Sequence, residues 1–152
     1  MLSRPRRPVR CGQVRVAFIG RKRLHDVAAQ SFNTPRGTLQ VSTPEATAVD
    51  LVGFQRRAGG LDQVATILSE LSELMDPHKL LAAVETAPIT WAQRLGYLLE
   101  SVDAGRWAAP LKEHVRRNAR RTTTLLPGAT DRESFRADDW KLRINSSIET
   151  VL

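Results

Sequence analysis

A chain of 152 residues, 41% hydrophobic and 26% charged, is sized for one domain with a real core and is too apolar to be disordered throughout. Its net charge is +7, from 23 Lys and Arg against 16 Asp and Glu, a surplus that suits nucleic acid, anionic lipid or an acidic partner without choosing among them. The single cysteine, Cys11, excludes an internal disulfide and a cysteine-built zinc site, and no run approaches the ~20 apolar residues of a membrane helix.

The charge is unevenly placed. Residues 1–12 hold Arg4, Arg6, Arg7 and Arg10 without an acid, together with two prolines and a glycine. They read as a basic linker or disordered arm ahead of one domain over 13–152. The stretch Val14 to Ile19 is too short, and is broken by Arg15, to serve as the apolar part of a secretory leader. A cytoplasmic protein with no membrane partner is the expectation.

In chain order, residues 14–20 read as a first strand and 38–42 as a second, introduced by the turn residues Pro35-Arg36-Gly37. Thr43 then caps a helix over 44–57, with Pro44 at its first position and Glu45 facing its positive end. Gly59-Gly60 stops it. Leu61, Val64, Ala65, Leu68, Leu71 and Met75 recur at helical spacing and predict a second helix over 61–75. Asp76-Pro77 caps a third, 77–86. Pro88 opens a fourth, 89–103, with Trp91, Leu95, Leu98, Leu99 and Val102 on one face. Gly105 separates a fifth, 107–119. Strands follow at 122–126 and 139–145, with the Pro127-Gly128 turn between them. Strands at both ends around a run of five helices predict an α+β fold rather than a doubly wound sheet.

Several residues carry candidate chemistry. Glu45 and Asp50 could form a carboxylate pair, but five positions on a helix rotate them well apart. Gly59-Gly60 could cradle a phosphate, yet lacks any surrounding glycine-rich phosphate motif and reads as a turn between helices. Arg94 could pair with a carboxylate such as Asp50, or face a partner. Gly96 costs a helix ~1 kcal/mol against alanine and so suggests the close approach of another backbone. His25, His78 and His114 lack ligand spacing, so no metal is expected. Asp139-Trp140-Lys141 contains the D-x-K element of some metal-dependent nucleases. The plainer reading buries Trp140 and points Lys141 outward. Arg116, Arg117, Arg120 and Arg121 are spaced to share one helix edge, which could meet nucleic-acid phosphates or serve only as a solvated helix end.

Four blocks also carry a family resemblance. Val41 to Val52 (VSTPEATAVDLV) is similar to the VSTPEATALDLV signature of the AbiEi antitoxins. Ala58 to Thr66 (AGGLDQVAT) resembles that family's AGGLNxVAT, Gln93 to Glu100 (QRLGYLLE) its QRLGYLLE helix, and Trp140 to Asn145 its WxLxxN strand. The family residues carried over are Thr43, Pro44, Glu45, Asp50, Gly59, Gly60, Arg94, Gly96, Tyr97, Glu100, Trp140 and Asn145, in mainly structural roles. The resemblance implies a bacterial type IV toxin–antitoxin system of the abortive-infection, phage-defence kind. In it a non-enzymatic antitoxin without a cofactor counters a nucleotidyltransferase-type toxin, and no stable complex is required. The usual antitoxin places a promoter-binding winged helix first. Residues 1–40 show no helix-turn-helix pattern, so the expectation is the C-terminal effector domain alone, without promoter binding. The alternative is a fragment of a nucleic-acid-binding transcriptional regulator acting through the arginine edge.

Overall fold

The computed structural model describes residues 6–21, 23–129 and 134–149. In chain order the elements are β1 (Val9–Cys11), β2 (Val14–Val16), β3 (Ala29–Thr34), β4 (Gly37–Ser42), α1 (Pro44–Gly53), α2 (Leu61–Ser72), α3 (Pro77–Glu85), α4 (Ile89–Ser101), α5 (Gly105–Asn118), β5 (Thr123–Thr124), β6 (Phe135–Ala137) and β7 (Leu142–Ile144). Short 3-10 turns lie at Leu24–Asp26 and Asp138–Trp140. This is the expected α+β arrangement: five helices between short strands at either end.

The helix starts follow from their caps. Thr43 is extended, and its Oγ1 accepts from the Ala46 N–H at 3.3 Å. Asp76 caps α3, its Oδ1 accepting from His78 N at 2.9 Å and Lys79 N at 3.0 Å. Both caps precede a proline at the first helical position, where its missing N–H is no loss. The helix ends are mostly earlier than the sequence predicts. α1 stops at Gly53, and residues 54–57 instead form hydrogen-bonded turns closed by Gly59 and Gly60, whose φ values of +97° and +99° suit only glycine. α2 stops at Ser72, whose hydroxyl donates back to the Ser69 carbonyl at 2.7 Å.

The core is the helical layer. Val64, Leu68, Leu80, Leu95, Leu98, Leu99 and Leu111 are fully buried, and α4 lies at the centre, against α1, α2, α3 and α5. Each such side chain contributes roughly 1.5–3 kcal/mol by leaving water. Trp140, Leu142 and Ile144 close the layer from the C-terminal end.

The strands depart most from expectation. Val9–Cys11 pairs with Val14–Val16 around Gly12 (φ +61°), so the latter part of the predicted arm is half of a hairpin and the first strand ends at 16, not 20. Residues 1–5 of that arm lie outside the described residues. β3 was hidden in a polar stretch. It pairs with β4 through the Pro35-Arg36 turn, Phe32 opposite Leu39, with Gln40 reaching Ser31 across the other face. At the C-terminal end β7 is central, parallel to β5 and antiparallel to β6. The predicted strand 139–145 begins instead as a 3-10 turn, and Lys141 is left-handed (φ +45°). Trp140, Leu142 and Ile144 nonetheless share the buried side, so the alternation was legible although the strand is shorter.

Candidate functional site

Three positions on one face of α4 (Gln93, Gly96 and Glu100) organise the C-terminal end, because residues three and four apart are neighbours on a helix. Gly96 leaves a notch that the Trp140 indole fills: a Cβ there would lie 2.0 Å from Trp140 Cζ3. The close neighbour predicted at Gly96 is therefore a ring, not another backbone. Glu100, four residues on, accepts the indole N–H at 2.7 Å on Oε2. Its Oε1 holds Lys112 of α5 at 2.8 Å, and Lys112 also reaches Asp139 Oδ2 at 2.9 Å. The Lys112 ammonium lies 5.7 Å from the Trp140 ring centroid. Its hydrogen bonds to Glu100 and then Asp139 raise its pKa above the usual lysine value.

The remaining polar side chains here serve backbone carbonyls. Gln93 is 1% exposed, and its amide nitrogen faces the carbonyls of Lys141 (2.9 Å), Trp140 (3.0 Å) and Arg121 (3.2 Å). Arg94 donates to the Thr124 carbonyl at 2.9 Å and reaches Thr123 Oγ1 at 3.4 Å, so it pins β5 and does not meet Asp50. Burial lowers its pKa. Asn145 accepts from Leu126 N at 3.0 Å and donates to Leu126 O at 2.9 Å, extending β7 by a side-chain ladder. Tyr97 packs half-buried against the core. Lys141 donates to the Ala119 carbonyl at 2.5 Å instead of pointing outward, while Asp139 is exposed and held by Lys112. The D-x-K pair is thereby divided between different partners.

At the other end, Glu45 and Asp50 also part. Glu45 is buried and accepts the Asp76 N–H at 2.9 Å, tying α1 to the start of α3. Asp50 pairs with Arg21, whose guanidinium lies 5.8 Å from the Trp91 ring centroid. Burial is the main cause lowering the Arg21 pKa. Neither Arg21, Gln93 nor Lys112 was singled out from the sequence. Gln93 had a usable signal, three residues before the glycine that receives the indole.

The arginine edge is split. Arg116 and Arg117 both pair with Glu113, at 2.8 and 2.5 Å. α5 ends at Asn118, and Ala119 turns extended and buries itself, so Arg120 and Arg121 leave the helix. They line a separate groove with Thr90, Asn118 and Thr122. Among the described residues no three His, Cys, Asp or Glu converge as metal ligands, and no helix is long and apolar enough to cross a membrane.

The fold has a solved counterpart. The crystal structure of RV2827C protein from Mycobacterium tuberculosis superposes with a TM-score of 0.55 at 21% identity, over 70% of this chain. This chain spans 36% of that protein's length. No curated protein sequence matches. A family profile, the AbiEi antitoxin C-terminal domain, matches residues 1–101 of the 152. The chain belongs to the AbiEi antitoxin C-terminal domain family.

Proposed function

We propose that this chain is the effector domain of a type IV antitoxin, opposing a nucleotidyltransferase-type toxin in the bacterial cytoplasm as part of a phage-defence system. In this reading it acts without catalysis, without binding its own promoter and without a lasting complex with the toxin. The family match over residues 1–101 is the observation that carries the reading. The side-chain geometry is consistent with it. Thr43 and Asp76 cap helices, Glu45 and Gln93 hold backbone groups, and Glu100 holds an indole. These residues build the helical layer, and in this reading the work of the domain falls to the surface that layer presents.

The test is co-expression with a nucleotidyltransferase-type toxin encoded at the same locus, if the locus carries one. Growth should recover when the full chain is induced together with the toxin, while affinity capture of one protein leaves the other behind and the upstream promoter DNA shows no mobility shift. Continued growth arrest in cells containing soluble, folded chain would overturn the antitoxin reading. A promoter shift at moderate salt would overturn the expectation that it acts without DNA.

A further inference from the structure

The positive charge of the chain is confined to its beginning. Residues 1–42 hold nine Lys and Arg against one acid, Asp26, while residues 43–152 hold fourteen against fifteen. The helical layer and the last sheet are thus nearly neutral, and the segment ahead of them carries the surplus.

The β1–β2 hairpin sets part of that surplus beside an apolar strip. Side chains alternate across a strand, so the pairs Val9–Val16 and Cys11–Val14 share one face and the pair Arg10–Arg15 stands on the other. Val9, Val14 and Val16 are 52%, 63% and 43% exposed, and every residue of both strands is exposed. Like charges directly opposite each other destabilise a strand pair. Among the described residues no carboxylate pairs with Arg10 or Arg15. Nor does any other described strand pair with the outer edge of β1 or β2. A two-stranded hairpin is marginal in water and gains from a third strand or a covering layer. The hairpin therefore lacks three things at once: counter-charges for its facing arginines, cover for its valines and a neighbour for its edges.

One occupant supplies all three. An extended segment in which acidic and aliphatic side chains alternate adds to an open edge through main-chain hydrogen bonds. Its period of two then sends carboxylates to the arginine face and aliphatic groups to the valine face. Nucleic acid supplies only the counter-charge. Phosphates offer nothing to valines, and residues 6–17 contain no aromatic ring on which a base could stack. A second copy would bring the same cationic segment and be repelled.

We infer that the β1–β2 hairpin is a docking edge for an extended segment of another protein in which acidic and aliphatic residues alternate. Arg10 and Arg15 hold its carboxylates, and Val9, Val14 and Val16 cover its aliphatic side. The inference goes beyond the antitoxin reading and does not need it.

The test titrates the full chain into a fluorescent synthetic peptide of alternating Glu and Val, followed by anisotropy. Binding should weaken as salt rises, and amide NMR shifts with unlabelled peptide should gather on residues 9–16. Arg10→Gln with Arg15→Gln should weaken binding about tenfold or more, as for lost charge-assisted hydrogen bonds. Val14→Thr with Val16→Thr should also weaken it, which a purely ionic contact would not show. Arg116→Gln with Arg117→Gln should leave it within about twofold. The hairpin lies outside the core, so each variant keeps the parent's helical circular dichroism and melting temperature. No binding at low salt, equal losses in the two arginine double variants, or indifference to the valine changes would each overturn the inference. Tighter binding of an oligonucleotide or of phosphatidylglycerol vesicles through the same residues would overturn it in favour of those partners.

Discussion

The Gly96 α-carbon faces the Trp140 indole so closely that any side chain at 96 would occupy the space of the ring. In an exposed helix, alanine for glycine gains ~1 kcal/mol. Here the overlap decides the sign. Gly96→Ala should destabilise by ~1–3 kcal/mol in urea unfolding, as overpacking does. Combining it with Trp140→Leu should cost less than the two single changes added, because the shorter side chain vacates the notch. Strict additivity would contradict the contact.

Glu100 divides its two oxygens between the indole N–H and Lys112. Glu100→Gln keeps an acceptor for the indole and should be mild, since the Lys112 pair is part-exposed and screened by solvent. Glu100→Leu strands the indole N–H, which should cost ~1–3 kcal/mol. The gap between the two variants in chemical denaturation is the measurement, and no gap would remove the indole hydrogen bond from the account.

Two glutamines should behave oppositely. Gln93 is buried with its nitrogen on three carbonyls, so Gln93→Leu should lower stability by at least ~1–3 kcal/mol. Gln55 is buried, and among the described residues its Oε1 has no partner. Gln55→Met should be neutral, or stabilise by up to ~1 kcal/mol, as a polar atom leaves an unsatisfied site. Thermal unfolding of the pair checks the ranking.

The buried Arg21–Asp50 pair joins the N-terminal segment to α1. Asp50→Asn leaves Arg21 desolvated and should cost roughly 3 kcal/mol. Asp138→Asn, whose partner Arg136 is exposed, should cost less than ~0.5 kcal/mol. A comparable loss at both positions is the outcome that sinks the argument.

The acid limb of stability has a named contributor. Arg116, then Arg117, hold the Glu113 carboxylate at a pKa of about 2, below its ordinary 4.5. A depressed carboxylate stabilises the fold above its unfolded pKa, and that contribution fades as pH falls from about 4.5 toward 2. Glu113→Gln should therefore flatten the melting temperature against pH in that window and leave the neutral-to-basic profile unchanged. Lys112 has the opposite sign. Its raised pKa gives a contribution complete below the ordinary value of 10.5 and lost as pH climbs through the higher folded value.

How much of this was legible in the sequence follows from the kind of signal each part leaves. The five helices were, because Pro44, Asp76-Pro77 and Pro88 mark their starts and the leucines recur at helical spacing. β3 was not, since Ser31 and Asn33 form its polar face and neither prefers strands. Its pairing is set by the turn at Pro35-Arg36, by Phe32 meeting Leu39, and by Gln40 and Thr38 reaching Ser31 and Asn33. The partner of Arg94 was misjudged because spacing within a helix says nothing about which distant backbone it meets. The arginine edge failed for a local reason. Four cations at i and i+4 share an edge only while the helix lasts, and α5 ends between Arg117 and Arg120. Glu113, four residues before Arg117, was the visible hint that two of the four share one carboxylate.

Trp140 enters the α4 notch from near the end of the chain, on the approach to the central strand of the last sheet. A ribosome therefore delivers the helices before the ring that seals them, and domains assemble from the N-terminus as synthesis proceeds. A transcript cut short anywhere between the end of α5 and residue 139 would yield five helices with an open groove along α4, an empty place at Gly96 and a buried glutamine facing water. Such a product would be a poor folder and a ready protease substrate. The notch in α4 is thus closed by a residue made after all five helices, so the last sheet and the helical layer complete each other.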